Sequence, residues 1–157
     1  MATEQDLPQV RTGVEADIPQ IIEMGRMLHA ENAMMPLSLQ RVEDAARRGI
    51  AQDMAMIGII GDVGKAEAMI GLTVGRFWYT DSFHLEELFA FVRPEFRKSN
   101  NAKALIEFAK SSALRIGVPL LIGVISNERT EAKTRLYERR LGKPSGAYFL
   151  FNGKTGI

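Results

Sequence analysis

The chain has 157 residues, 46% of them apolar and 25% charged, with a formal net charge of +1 and no cysteine. That composition suits one soluble domain over residues 1–157, with its core from about 10 to 152. Without cysteine there is no disulfide framework, thiol nucleophile or cysteine zinc site, and two histidines, His29 and His84, are too few for a histidine-rich centre, so no metal is expected.

A cysteine-free chain fits a reducing cytoplasm. No apolar run approaches the roughly 20 residues of a membrane span, and the acidic N-terminal residues lack a signal-peptide pattern, so no membrane association is expected. The small net charge hides an asymmetry. Residues 1–92 hold 7 basic and 14 acidic side chains, residues 93–157 hold 13 and 5. The second part can therefore hold a polyanion while the first faces a cationic ligand.

A short strand around Val10–Val14 leads to Asp17, a candidate N-cap for a helix with Ile18, Ile21, Ile22, Gly25 and Leu28 on one face. Ser38 can cap a second helix that runs to about Gly49. Met54–Ile60 then reads as a buried strand, Gly61 to Gly64 as a turn and Ala68–Tyr79 as the hairpin partner. A strand from His84 to Val92 ends at Arg93-Pro94, where proline has no amide to give to a ladder.

After a loop, Asn101–Ile116 has the apolar spacing of a helix packed on a sheet, ended by Gly117. Pro119–Val124 reads as a strand, Thr130–Leu141 as a basic amphipathic helix closed by Gly142, and Ala147–Asn152 as the last strand. The expected order is β-α-α-β-β-β-α-β-α-β, an α/β or α+β mixed sheet with helices on its faces.

The run from Leu88 through Ala102 is a buried strand, a tight loop and a helix start rich in small polar residues. The unpaired amides of a helix's first turn, with its dipole, bind a pyrophosphate without many side chains. Arg97, Lys98 and Lys103 would add full charges, around Ser99, Asn100, Asn101 and Ala102.

The same run resembles the acyl-CoA motif, Q/R-x-x-G-x-G/A, of the GNAT superfamily of N-acetyltransferases. Arg97 matches the first position and Ala102 the last, while Asn100 stands where glycine is usual. Arg11 to Ile21 resembles the family's opening strand and first helix. Leu136-Tyr137-Glu138-Arg139-Arg140-Leu141-Gly142 is similar to the tyrosine-bearing end of its last helix, with one extra residue before Gly142. The resemblance spans nearly the whole chain and implies a GNAT-like, mostly antiparallel sheet flanked by helices.

It also implies acetyl-CoA as cosubstrate, with the pantetheine arm along the backbone of Ala90, Phe91 and Val92. A backbone amide there would polarise the thioester carbonyl. The family commonly has an asparagine seven residues before its tyrosine; here Thr130 holds that position and Asn127 lies nearby, so either could serve. Tyr137 would give its phenolic proton to the departing CoA sulfur. An alkylamine is protonated at neutral pH, so a carboxylate must take a proton from it. Glu86 occupies the position where some members of the family carry the base, with Glu87 as the runner-up.

The acceptor wall would comprise Glu31 and Met35, between the first two helices, with Trp78 and Tyr79 beyond the hairpin. These suit an amine-bearing acceptor, a small molecule or a peptide amine with some apolar body, and leave room for a homodimer. Two other classes compete: a catalytically weak or inactive acyl-CoA-binding module, and a nucleic-acid module using Arg129, Lys133, Arg135, Arg139 and Arg140. Little aromatic interleaving and the balanced charge speak against nucleic acid.

Overall fold

A computed structural model describes residues 6–126 and 129–151, and the hydrophobic periods just traced become five strands and four helices there. In chain order these are β1 (Arg11–Thr12), α1 (Ile18–Asn32), α2 (Leu39–Ile50), β2 (Ala55–Ile60), β3 (Ala68–Gly75), β4 (His84–Val92), α3 (Asn101–Ile116), β5 (Leu120–Leu121) and α4 (Thr130–Leu141). Short 3-10 turns at Glu15–Asp17 and Pro94–Phe96 lead into α1 and away from β4. The strands lie in the order β1-β2-β3-β4-β5, antiparallel except for β4 with β5. The fold is therefore the expected mixed one, with a mostly antiparallel sheet flanked by helices.

Local chemistry explains most boundaries. Ser38 accepts the amide of Arg41 and caps α2. Gly117, at φ +80°, closes α3 in the left-handed conformation that glycine adopts without strain. Asp17 behaves differently from a capping residue. Its buried carboxylate takes both Arg11 Nη atoms at 2.7 Å and the Val14 amide at 2.8 Å, so it anchors β1 to the start of α1 and makes no bond to the helix amides.

Several expected strands change, the first of them contracting from Val10–Val14 to Arg11–Thr12, the two residues that pair with β2. Pro119–Val124 contracts to Leu120–Leu121, because β5 pairs with β4 only at Leu85↔Leu120 and Glu86↔Leu121. Ala147–Phe151 forms no strand, and Tyr148, Phe149 and Phe151 are exposed; Asn152 lies outside the described residues. A two-residue β5 gives a further strand little ladder to extend. The hairpin partner also ends early, at Gly75, ahead of an aromatic turn.

Two cores cover the sheet. On one face Ile60, Ile70, Leu72 and Leu85 pack on Ala104, Leu105, Ala109 and Ala113 of α3; on the other Ile57, Ile59, Met69 and Phe91 pack on Ile21 and Met24 of α1 and Ala46 of α2. β4 changes sides within its length. Leu85 belongs to the α3 core, whereas Phe89 and Phe91 belong to the α1–α2 core. Strict alternation would put all three on one face.

The switch is a β-bulge: Gly71 opposes Phe89 and the next residue, Leu72, opposes Glu87, which leaves Leu88 as the extra residue. Gly71 makes room for it, since a Cβ there would lie 2.5 Å from the Phe89 ring. Beyond Glu86 the β5 side of β4 has no ladder partner among the described residues, so β4 presents a free edge from the bulge to Val92. No described helix is long and apolar enough to cross a membrane.

Candidate active site

The free edge of β4 runs from a pair of titratable side chains at the bulge to a basic turn at Arg97. Arg93 fixes the end of the strand. Its Nε donates to the Ala66 carbonyl at 2.7 Å and its Nη2 to Gln20 at 3.1 Å and Glu23 at 2.7 Å, tying β4 to α1 and to the β2–β3 turn. The turn that follows therefore starts from a held point.

Within that turn Arg97 is already engaged. Its Nε donates to the Val92 carbonyl at 3.0 Å, its Nη2 donates to both Glu31 oxygens at 2.6 and 2.8 Å, and its guanidinium lies 5.4 Å from the Phe91 ring centroid. A residue expected on the cofactor and one expected on the acceptor are thus joined in one ion pair. Ser99 donates to the Phe96 carbonyl and accepts the Asn101 amide, while the buried Asn101 side chain donates to Glu67 at 2.9 Å. Those two side chains hold the turn in shape.

What remains outward is main chain and lysine. Ala104 closes the first intrahelical bond, to the Asn100 carbonyl, so the amides of Ala102 and Lys103 lie ahead of the α3 ladder, with Lys103 partly buried and Lys98 exposed. Asn100 has φ −86° and ψ 10°, an ordinary conformation for any residue. The turn therefore does not need the left-handed geometry that would call for glycine. Ala90 and Val92 are partly buried along the free edge, and Phe91 turns its ring into the α1–α2 core, leaving its backbone at the edge.

At the bulge, the Tyr137 hydroxyl donates to Glu87 Oε2 at 3.5 Å. Burial raises the Glu87 pKa to about 7, against the opposing pull of Lys133 and the Tyr137 hydroxyl. The Tyr137 phenol is pushed upward, first by burial and then by the Glu87 carboxylate, so it keeps its proton at neutral pH. Lys133, one helical turn before Tyr137, is lowered by burial while Glu87 pulls it back up. The Tyr137 hydroxyl and the Glu87 carboxyl thus meet where the edge of β4 becomes free.

Glu86 sits apart from this pair. It meets His84 Nε2 at 2.9 Å, and the His84 ring lies 4.6 Å from Phe77. The adjacent carboxylates thus have separate partners, and it is Glu87 that reaches the tyrosine. Trp78 and Tyr79 are exposed and edge-packed on each other at 5.7 Å, in the turn at the opposite end of β4 from Arg97. Met35 is exposed, and its carbonyl accepts His29 Nε2 at 2.8 Å. The structure does not join Trp78 and Tyr79 to Glu31 and Met35.

Thr130 donates to the Ser126 carbonyl at 2.9 Å and so fastens the start of α4; Asn127 lies outside the described residues. A residue beside this pair that the sequence reading did not place there is Lys133, which it named only among the basic side chains of a nucleic-acid module. Its spacing from Tyr137 was the available signal, since residues one turn apart share a helix face.

No family model and no curated protein matches this chain. Solved structures do. An integron cassette protein from the mobile metagenome of Cole Harbour Salt Marsh is 24% identical, with a TM-score of 0.73 over 97% of this chain and 95% of that one. AAC(6')-Iy in complex with the bisubstrate analogue CoA-S-monomethyl-acetylneamine is 17% identical, with a TM-score of 0.69 over 93% and 97% of the two chains. A predicted acetyltransferase from Clostridium acetobutylicum, with acetyl-CoA, is 13% identical, with a TM-score of 0.71 over 93% and 96%. Likeness over nearly the full length of each chain settles the architecture: this is the fold of the GNAT superfamily of N-acetyltransferases.

Proposed function

We propose that the chain is an acetyl-CoA-dependent N-acetyltransferase, acting as one domain, that moves an acetyl group to a primary amine by direct attack on the thioester. The observation that carries this reading is the contact of Tyr137 with Glu87 at the point where the edge of β4 becomes free. The neighbours with acetyl-CoA and with a CoA bisubstrate analogue support the choice of cosubstrate. The residues present fit that molecule: an extended chain has the main-chain edge of Ala90 to Val92 to pair with, and a diphosphate has the first-turn amides of Ala102 and Lys103 with Lys98 and Lys103 beside them.

Acetyl-CoA supplies an activated acyl group, and the chain's residues manage the protons. Glu87, titrating near 7, takes the proton that the attacking amine sheds, directly or through one water. Tyr137 gives its phenolic proton to the departing thiolate. The Tyr137–Glu87 bond then lets the proton collected by the carboxylate restore the phenol, so the pair returns to its starting state. A backbone amide on the free edge of β4 would polarise the thioester carbonyl, a contribution of a few kcal/mol in comparable sites.

The test is thiol release from acetyl-CoA, corrected for hydrolysis, across a panel of primary amines. Tyr137→Phe should lower kcat by roughly a hundredfold with little change in acetyl-CoA affinity, the usual scale for losing a general acid. An unchanged rate would remove Tyr137 from the chemistry. Tight acetyl-CoA binding with no amine-dependent release would instead identify a binding module that has kept the fold without turnover.

A further inference from the structure

The inward face of α4 carries charge where a packed helix usually carries apolar groups. Lys133, Leu136, Tyr137 and Arg140 follow one another at helical spacing, and all four are partly buried, whereas Glu131, Ala132, Arg135, Glu138 and Arg139 are exposed. Lysine rarely occupies such a face without an acidic partner. Of its two cations, Arg140 is matched by Glu107 of α3 at 3.4 Å. Lys133 is one turn from the tyrosine that meets Glu87, and Glu87 is the acid that acts on it most strongly.

We propose that Lys133 is a positioning residue for the transfer, the partly buried cation that favours the charged form of the Glu87 carboxylate beside the Tyr137 hydroxyl. The inference rests on the transfer reading for its purpose, although the charge coupling it describes can be measured without turnover.

The groups around Glu87 bear this out. On α4 it faces Tyr137, a neutral donor, and Lys133. Glu86, its neighbour on β4, is turned to His84 and has its own partner. From α1 and the turn after β4 come Glu31 and Arg97, which are paired with each other and act on Lys133 with opposite signs; Arg129, at the start of α4, also acts on it. Lys133 is therefore the full charge left to offset Glu87's burial. With Lys133 neutral, the carboxylate would stay protonated to higher pH and could not accept a proton from an amine at neutrality.

The test is direct titration of Glu87 in the full chain by carbon-13 NMR of carboxyl-labelled glutamate, the signal assigned with Glu87→Gln. The wild-type midpoint should lie near 7. Lys133→Met should move it up by about one pH unit or more, and Lys133→Arg should restore it. The acid limb of the kcat/KM profile should shift in the same direction and by a similar amount.

An unmoved midpoint in Lys133→Met would overturn the proposal, and so would a Lys133→Arg variant displaced as far as Lys133→Met, since that would mean packing and not charge sets the value. Lys133→Gln repeats the measurement if the methionine variant does not fold. Absence of amine-dependent thiol release from the wild type would defeat the transferase reading and still leave this titration to decide the role of Lys133.

Discussion

Glu31 and Arg97 give the clearest consequence at the scale of single residues. A guanidinium that donates to both oxygens of a carboxylate at 2.6 and 2.8 Å is largely neutralised toward any anion that approaches the turn. Glu31 is then a local competitor for a diphosphate and a repulsive charge beside it. Glu31→Gln should tighten acetyl-CoA binding by roughly three- to tenfold at low salt, with the gain shrinking as salt rises. Calorimetry on the two proteins checks this; weaker binding by the variant would show that Glu31 serves the turn by holding Arg97 in place. Sequence reading placed the basic turn and the acid on their separate elements. It did not join them, because the partners are 66 positions apart and nothing in either local pattern records the pairing.

At the scale of elements, the entry to α1 depends on one ion pair. Asp17 is fully buried and Arg11 holds its carboxyl below the usual range, first through the side-chain bonds and then with help from the Val14 amide, against the opposing effect of burial. A carboxylate with a depressed folded value stabilises the native state above its unfolded value, near 4, and loses that contribution as pH falls through the folded value. Asp17→Asn should therefore cost about 3 kcal/mol at pH 7, since it leaves a partly buried arginine without its partner. Urea unfolding at pH 7 and pH 3 measures it: the gap between the two proteins should narrow at the lower pH, and a constant gap would mean that shape and not charge holds β1 to α1.

The same scale shows why some elements were readable and others were not. β4, the turn after it and α3 carry their own punctuation in Pro94 and Gly117, so their limits need no distant partner. Ala147–Phe151 has the aromatic content of a strand, but a strand exists only when paired, and β5 gives the sheet just two paired residues at that edge. The bulge at Leu88 was equally hidden. It follows from Phe89 packing over Gly71 on another strand, and it turns Phe89 and Phe91 to the face opposite Leu85, whereas Glu87 keeps the side that alternation from Leu85 gives it.

At the scale of the whole molecule, a carboxylate held near pH 7 destabilises the fold that holds it. Glu87 titrates near its ordinary value, about 4.5, when the chain is unfolded and near 7 when it is folded. Between those limits the native state retains a proton that the unfolded state has released, so stability declines as pH rises through that window; above it the penalty is fully present. The opposing pull of Lys133 is already contained in that value, so at about 1.4 kcal/mol per pH unit the penalty is about 3 kcal/mol. Glu87→Gln keeps a hydrogen-bonding group opposite Tyr137 and removes the charge. It should raise the melting temperature by roughly 6–12 °C at pH 8 and leave it nearly unchanged at pH 4.5, while abolishing most turnover. Thermal melts of the two proteins at both pH values decide the matter: an equal increase at both would trace the effect to packing, whereas a gain confined to high pH would tie the lost stability to the ionisation that lets Glu87 accept a proton.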